Sequence, residues 1–242
     1  MARLDSLLVD LGLAPSRERA KAAVRAGLVT VNGTVARKAS QAVPDGAALT
    51  YEPEHPWVSR GALKLVAALE AFGFDPARRV CVDVGASTGG FTQVLLSRGA
   101  ARVYAVDVGE DQLDARVAAD PRVVSLQRLN ARDLTRDHLP EPPSLLVCDV
   151  SFIGLEKALP AALSLCAPSA EAAVLVKPQF EVGRARIGKG GLVRDQESLP
   201  LFVQDEIVPW FEGEGWSVLG VEDSPVLGGD GNREFLLGAR RG

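Results

Sequence analysis

The chain has 242 residues, of which 47% are hydrophobic and 24% are charged, and its formal net charge is −4. This composition is typical of a globular protein and excludes disordered, collagen-like and fibrous classes, and the length favours a small domain joined to a medium-sized one. No window approaches the ~18 uninterrupted apolar residues of a bilayer-spanning helix, and the first residues lack the plan of a signal peptide. We therefore expect a cytoplasmic protein with no membrane partner.

Cysteine and histidine usage argues against a disulfide framework and against a structural metal. The three cysteines, Cys81, Cys148 and Cys166, each lie among apolar residues, no Cys-x-x-Cys spacing occurs, and the chain has only two histidines. We expect no metal.

The charge is unevenly distributed along the chain. Residues 1–60 hold 8 basic and 6 acidic residues, whereas the remainder holds 19 and 25. A basic front on an acidic protein is a modest indication of a polyanionic partner, although such a balance is also common on solvated surfaces.

Two short helices are predicted at the start. Leucines at helical spacing followed by Gly12 predict a helix over residues 3–11. The second begins after Ser16, a plausible N-cap, and ends at Gly27. Within it Arg17, Lys21 and Arg25 recur every four residues and form one basic stripe.

A hairpin follows the helices. Residues 28–31 alternate like a strand, Asn32-Gly33 is a strong two-residue turn signal, and residues 34–36 return before Arg37-Lys38. A turn at residues 44–46 precedes another strand at residues 48–51. Two small helices and this hairpin resemble the S-four-like RNA-binding domain, and the resemblance implies a surface that grips structured RNA through its phosphates.

A proline-containing segment marks the domain boundary. Two prolines within residues 52–56 and the absence of periodicity predict a stiff linker at residues 53–60, between an RNA-binding domain at residues 1–52 and a second domain at residues 61–242. The second domain opens with a helix over residues 61–72, whose apolar stripe is Leu65, Leu69 and Phe72. Lys64 lies roughly opposite that stripe.

From residue 79 onward apolar strands alternate with helices. Helices are clearest at residues 90–98, 155–166 and 198–213, and the seven predicted strands cover residues 80–84, 103–106, 123–126, 145–148, 174–176, 217–221 and 234–237. Apolar strands separated by helices predict a doubly wound, mostly parallel α/β sheet buried on both faces.

Each of the first five strands delivers a polar group near its carboxyl end, where open α/β sheets bind ligands. These groups are Asp83, Asp107, Asn130, Asp149 and Lys177. One such residue alone could be a helix cap or a solvated side chain, but five together favour a site.

The glycine-rich turn after the first strand favours close approach of backbone to a ligand. It contains Gly85, Ala86, Ser87, Gly89 and Gly90, and matches neither the Walker nor the dinucleotide pattern. Asp107 lies 22 positions after Gly85, the spacing at which a carboxylate binds a ribose diol. The turn and Asp107 together predict an adenosine-type cofactor, either a nicotinamide cofactor or S-adenosylmethionine.

Eight segments in order resemble the TlyA family, in which an S-four-like domain precedes an FtsJ-type ribosomal RNA ribose methyltransferase. They read WVSRGALKL, VDVGASTGGFT, VYAVDVG, NARDL, CDVSFIGL, VLVKPQFEVG, GGLVRD and GNREFLL. The resemblance implies a Rossmann-like methyltransferase domain that uses S-adenosylmethionine. The linker departs from the family, with His55 where relatives often have arginine.

The resemblance also implies roles for individual residues. The catalytic Lys-Asp-Lys-Glu tetrad maps onto Lys64, Asp149, Lys177 and Glu234. Cofactor binding is expected at Asp83, Gly85, Ala86, Ser87, Gly89, Gly90, Asp107, Asn130 and Asp149. RNA binding is expected at Arg17, Lys21, Arg25, Arg37, Lys38 and Arg60.

The tetrad is chemically suited to methylating a 2′-hydroxyl, which is a poor nucleophile until it loses its proton. A cation beside Lys177, here Lys64, together with partial burial favours the neutral amine, so Lys177 could act as a general base. Asp149 and Glu234 would orient the amines. An electrostatic role for Lys177, with late loss of the proton, is the alternative.

The leading hypothesis is therefore methylation of a cytidine ribose in ribosomal RNA, in the large subunit because the short amino terminus resembles that group. A nicotinamide oxidoreductase would leave Lys177 and Glu234 unused. An RNA-binding protein with an inactive methyltransferase fold is less compatible with an intact tetrad. A haemolysin, a name often given to such relatives, would need an amphipathic cationic helix or lipid-facing strands, and neither is evident.

Overall fold

The chain folds into two units, which the computed structural model divides between Pro56 and Trp57. The structure describes residues 2–14, 16–52, 55–228 and 231–242. The division falls inside the predicted linker, of which Pro53 and Glu54 lie outside the described residues. Val58 is buried, and its backbone N–H donates to Gln93 Oε1 at 2.7 Å, so the second unit already includes the residues just before its first helix.

The first unit has the predicted helix–helix–hairpin order. Its elements are β1 (Ala2–Arg3), α1 (Leu4–Asp10), α2 (Arg17–Arg25), β2 (Val29–Val31), β3 (Thr34–Val35), β4 (Ala42–Val43) and β5 (Leu49–Tyr51). β1 pairs with β4, and β3, β2 and β5 form a three-stranded antiparallel sheet. Leu4 and Leu8 are fully buried, whereas Leu11, the last of the predicted leucine stripe, is exposed because the helix ends before it.

Local chemistry explains the boundaries within this unit. Ser16 caps α2 as predicted, since its hydroxyl accepts the backbone N–H of Arg19 at 3.3 Å. Asn32 and Gly33 have φ angles of 51° and 76°, the left-handed pair that a tight hairpin turn requires. The turn therefore fixes the register of Val31 opposite Thr34.

The second unit is a doubly wound sheet, which confirms the predicted fold class. Its strands are β6 (Val80–Val84), β7 (Arg102–Val106), β8 (Val123–Leu126), β9 (Leu145–Cys148), β10 (Ala170–Val176), β11 (Ser217–Asp223) and β12 (Phe235–Arg241). Their order across the sheet is β11-β12-β10-β9-β6-β7-β8. β12 runs antiparallel to both of its neighbours, and the other strands are parallel to one another.

Helices cover both faces of the sheet. They are α3 (Ala62–Phe72), α4 (Gly90–Ser97), α5 (Ala115–Ala118), α6 (Leu155–Ala158), α7 (Pro160–Leu165), α8 (Pro178–Glu181), α9 (Leu199–Phe202) and α10 (Val208–Gly213). Leu65 and Leu95 belong to one buried cluster with Leu145, and Leu163 and Phe211 belong to another. α3 lies very close to β12, because a Cβ at Gly238 would fall 2.4 Å from the Phe72 ring.

Two predicted helices are interrupted at prolines. The helix predicted over residues 155–166 divides into α6 and α7 at Pro160, which cannot donate a helical hydrogen bond. The helix predicted over residues 198–213 contains a π-helical turn at Val203–Ile207, and the hydrogen-bond pattern shifts there just before Pro209.

Candidate active site

The catalytic residues predicted from the sequence form two lysine–carboxylate pairs. Lys177 Nζ lies 2.6 Å from Asp149 Oδ1 and donates to Ser151 Oγ at 2.8 Å. Lys64 Nζ donates to Glu234 Oε2 at 2.5 Å, and this pair is buried, with 8% and 2% of the two residues exposed. Lys64 is therefore buried rather than exposed to solvent. The helix that carries it, α3, packs against β12.

The sheet register brings the two pairs to the same edge. β10 and β12 pair Val176 opposite Phe235, so Lys177 and Glu234 face each other one step beyond the ladder. Gln179 Nε2 contacts Glu234 Oε1 at 3.4 Å. A Cβ at Gly61, one helical turn before Lys64, would lie 3.4 Å from Asp149 Oδ2.

This pairing supplies the distances on which the electrostatic hypothesis depends. We expected Lys64, as a neighbouring cation, to favour the neutral amine of Lys177, with Asp149 and Glu234 orienting the amines. Each lysine has its own carboxylate, which offsets the charge of the ammonium group. Any mechanism must therefore start from two lysine–carboxylate ion pairs and not from two uncompensated lysines.

Asp107 occupies the position predicted for a ribose-binding carboxylate. Its Oδ2 accepts the backbone N–H of Ser87 and its Oδ1 that of Gly109, both at 2.7 Å. Ser87 has a φ of 46°, a left-handed conformation usually taken by glycine. The hydrogen bond from its N–H to Asp107 holds the turn against the end of β7. A pocket here is lined by Ala86, Ser87, Ala105, Asp107, Gly109, Gln112, Leu113, Ser125 and Gln127.

The residues present fit an adenosine-type cofactor. The Asp107 carboxylate is fixed by two N–H groups, and each of its oxygens keeps a second lone pair for a ribose hydroxyl. The pocket beside it is lined in part by small residues, among them Ala86, Ser87 and Ala105. Asn130 Oδ1 accepts the N–H of Arg132 and caps a 3₁₀ turn at Ala131–Asp133, and its cofactor contact stays a prediction.

We expect Asp107→Ala to weaken S-adenosylmethionine binding by roughly 1–3 kcal/mol, since the variant loses the carboxylate that accepts from the ribose diol. Isothermal titration calorimetry measures the change. Asp120→Ala is the matched control, because Asp120 binds Arg122 before β8, at the opposite edge of the sheet. Equal affinities for Asp107→Ala and the control would show that the β7 carboxylate only holds the turn.

Three glycines of the turn lie close against neighbouring protein atoms. Gly85 has a φ of 86°, and a Cβ there would lie 2.9 Å from the Asp149 carbonyl oxygen. A Cβ at Gly89 would lie 2.7 Å from the Leu113 side chain, and one at Gly90 would overlap Ser59 Oγ. The turn is thus pressed against the strand end that carries Asp149, which places the cofactor loop beside the lysine pairs.

Asp83 is a fully buried carboxyl group below this loop. Its Oδ2 accepts a hydrogen bond from Thr92 Oγ1 at 2.6 Å, and within the described part of the chain its buried Oδ1 has no hydrogen-bond partner. Burial, and to a smaller extent the charges of Asp149 and Asp107, raises the pKa of Asp83 to about 7.

The raised pKa of Asp83 predicts a pH-dependent free energy of unfolding. An acid whose pKa is higher in the folded state contributes most stability below its unfolded pKa, and this contribution is lost as the pH rises towards 7. From pH 5 to pH 8, wild type should therefore lose roughly 2–3 kcal/mol relative to Asp83→Asn, because the folded carboxyl stays protonated from pH 5 to about pH 7 while the unfolded one is ionised. Urea unfolding of both proteins at the two pH values measures the difference.

The comparison with Asp83→Asn isolates this group from a second one. Burial also raises the pKa of Glu181 to about 7, but Glu181 is common to both proteins and its effect cancels. Unfolding curves that move in parallel from pH 5 to pH 8 would show that Asp83 does not titrate as described.

Sequence reasoning missed three residues that contact or flank the tetrad: Ser151, Gln179 and Phe152. Phe152 is 90% exposed, has a φ of 67°, and its ring centroid lies 5.2 Å from that of Phe180. All three residues lie within three positions after a predicted catalytic residue, and that proximity in the sequence was the signal that could have found them. A largely exposed aromatic ring three positions after Asp149, on a residue with a left-handed backbone, is a candidate contact surface.

The predicted RNA-binding cations differ in their surroundings. Arg17 donates to the buried Asp5 at 3.0 Å, and Lys21 donates to Glu18 at 2.6 Å, so part of the predicted stripe is compensated. Within the described residues Arg25, Arg37, Lys38 and Arg60 are exposed and make no ion pair.

Comparison with known proteins agrees with this geometry. The sequence matches the S4 domain family over residues 2–49 and the FtsJ-like methyltransferase family over residues 57–241. It is 47% identical to "16S/23S rRNA (cytidine-2'-O)-methyltransferase TlyA" of Mycobacterium tuberculosis, over 99% of this chain and 90% of that protein. The chain belongs to the TlyA family.

One further relative and one solved structure are also similar to this chain. A protein of Campylobacter jejuni named "23S rRNA (cytidine-2'-O)-methyltransferase TlyA" is 33% identical, over 74% of this chain and 69% of that one. A solved structure from Streptococcus thermophilus, described as a hemolysin, superposes with a TM-score of 0.78 and 41% identity, over 99% and 88% of the two chains. In the described parts of this TlyA-family chain, no helix is both long and apolar enough to cross a membrane.

Proposed function

We propose that this protein methylates the 2′-hydroxyl of a cytidine ribose in ribosomal RNA, with S-adenosylmethionine as methyl donor. The observation that carries the proposal is the pair of lysine–carboxylate contacts beside the Asp107 pocket, in a chain of the FtsJ-like family that also has an S4 domain. An oxidoreductase would have no use for these pairs.

Lys177 and Asp149 act on the acceptor hydroxyl. A lysine ammonium has three donors; Nζ donates to Ser151 and forms an ion pair with Asp149, so a donor remains for the ribose oxygen. As water is excluded, the proton on Nζ passes to Asp149 Oδ1. The neutral amine then takes the hydroxyl proton while the oxygen becomes the nucleophile.

Lys64 and Glu234 hold the other side of the site. Their buried contact fixes the Lys64 ammonium, and Gln179 restrains Glu234. Although Glu234 offsets its charge, the Lys64 ammonium can still donate a hydrogen bond to the oxyanion that develops on the ribose. When bound, S-adenosylmethionine supplies an electrophilic methyl group on a sulfonium, and Asp107 with the 85–90 turn would hold its adenosine end.

The S4 domain supplies RNA affinity through its unpaired cations. Arg25, Arg37 and Lys38 are exposed, and phosphate contacts of this kind confer affinity without reading sequence. Large-subunit RNA is the proposed target because the names of both TlyA relatives include 23S rRNA as substrate.

Phe152 provides a stacking surface for the target base. We expect Phe152→Ala to lower the apparent affinity for rRNA in the methylation assay about 5- to 150-fold, since stacking of a base on an aromatic ring contributes ~1–3 kcal/mol. Phe152→Trp should retain most of the activity, and S-adenosylmethionine affinity should not change in either variant. Steady-state kinetics with a large-subunit rRNA fragment measure the effect, and an alanine variant equal to wild type would contradict it.

The proposal is tested with purified protein, S-adenosylmethionine carrying a labelled methyl group, and separate large and small ribosomal subunits. After complete digestion, mass spectrometry should find the label in 2′-O-methylcytidine from large-subunit RNA. Label on a base, or no transfer to either RNA, would overturn the proposed function. Label in small-subunit RNA alone would overturn the proposed target.

A further inference from the structure

A basic hairpin follows the catalytic Lys177 and has no role in the mechanism described above. It spans residues 183–194, which include Arg184, Arg186, Lys189 and Arg194 and no acidic residue. We call this segment the basic loop.

The basic loop has a fixed backbone. Ile187 pairs with Val193, and the backbone N–H groups of Gly188 and Arg194 donate to the carbonyl oxygens of Leu192 and Arg186 at 2.7 and 3.0 Å. Val193 is buried and anchors the loop. The loop therefore presents its cations from a defined structure.

Three of the four cations are available to a ligand. Arg186 donates to Ser198 and lies 5.6 Å from the Phe202 ring centroid, so it packs against the domain. Arg184, Lys189 and Arg194 are exposed and, among the described residues, form no ion pair. Gly190 lies between them, and a Cβ there would meet nothing within 4 Å, so backbone is open to a ligand beside the charges.

The basic loop is joined directly to the segment that carries Glu234. Asn232 is 2% exposed, its Oδ1 accepts the N–H of Val193, and its Nδ2 donates to the carbonyl oxygen of Gly191, both at 3.0 Å. Gln196 Oε1 also accepts the N–H of Arg233 at 3.2 Å. The loop is thus linked to both sides of the active site, at Lys177 through α8 and at Glu234 through Asn232.

We propose that the basic loop binds phosphates of the substrate RNA next to the target nucleotide, and so forms a second RNA contact in the methyltransferase domain. The inference rests on the proposed function, because a ribose seated at Lys177 brings its flanking phosphates close to the active site. Exposed lysine and arginine next to bare backbone are suited to a polyanion's phosphates. An acidic ribosomal protein would be the alternative partner, and the test separates the two.

The test uses the full chain with R184Q/K189Q/R194Q and protein-free large-subunit rRNA. We expect the Kd to rise at least 10-fold near 0.1 M salt, and the slope of log K against log salt to fall by about 2–3, roughly one for each lost contact. Affinity for S-adenosylmethionine should remain that of wild type.

A matched control removes the same charge elsewhere. R78Q/R98Q/R102Q alters cations near the amino-terminal ends of β6 and β7, the opposite edge of the sheet, and should change the Kd less than 2-fold. Equal losses in the two variants would show a general effect of net charge and overturn the proposal. A loss seen with intact subunits but not with protein-free rRNA would assign the loop to a ribosomal protein and also overturn it.

The outcome is distinguishable from failure of the proposed function. If wild type transfers methyl groups to rRNA and R184Q/K189Q/R194Q binds and methylates equally well, the basic loop is not an RNA contact. If wild type transfers none to RNA, the proposed function itself is wrong.

Discussion

Lys177→Ala is expected to slow methyl transfer at least ~10²-fold, while the affinities for S-adenosylmethionine and RNA stay near those of wild type. The variant loses the amine that contacts Asp149 and Ser151, and with it the acceptor of the hydroxyl proton. Single-turnover rates with saturating rRNA fragment isolate the transfer step from binding.

Lys177→Arg distinguishes the two roles of the residue. A guanidinium does not give up its proton in proteins, so it can neither pass one to Asp149 nor accept one from the ribose, and we expect the variant to be as slow as Lys177→Ala. An active arginine variant would keep the site but make Lys177 an electrostatic guide. Near-normal transfer by Lys177→Ala would refute the mechanism.

Breaking the buried Lys64–Glu234 pair should destabilise the fold as well as abolish activity. Lys64→Met leaves the Glu234 carboxylate uncompensated at 2% exposure, and removing one member of such a pair costs about 3–5 kcal/mol. Urea unfolding at pH 7 measures the loss.

The double variant K64M/E234L separates stability from catalysis. With both charges replaced by apolar groups of similar size, most of the lost free energy of unfolding should return, because no isolated charge is buried. Methyl transfer should nevertheless remain at least ~10²-fold below wild type if the pair acts on the reaction. A double variant that recovers both stability and transfer would assign the pair a structural role only.

Much of the fold follows from local sequence chemistry. Strands β8 and β9 begin and end where apolar runs predict, and Ser16 and the Asn32-Gly33 turn act as predicted because each signal depends only on its neighbours. β10 is longer than predicted, beginning at Ala170 rather than Val174. Its first residues include three alanines, which have little strand preference, and pairing with β9 and β12 overrides that preference.

The site was predictable in its residues but not in its contacts. Position at the carboxyl ends of strands was enough to single out Asp107, Asp149 and Lys177. Which carboxylate pairs with which lysine depends on the register between β10 and β12 and on the packing of α3, and the Lys64–Glu234 contact joins residues 170 positions apart. The exposure of Phe152 likewise depends on a backbone angle that its neighbours in sequence do not specify.

The central claim is that the tetrad methylates a ribose oxygen of ribosomal RNA, and mapping 2′-O-methylation across the rRNA of living cells tests it most directly. Cells that lack the gene should lose one or more ribose methyl groups at cytidine, with the loss in the large subunit. The wild-type gene should restore them, and the Lys177→Ala gene, expressed at an equal level, should not. An unchanged map in the deletion strain, or full restoration by Lys177→Ala, would contradict the account.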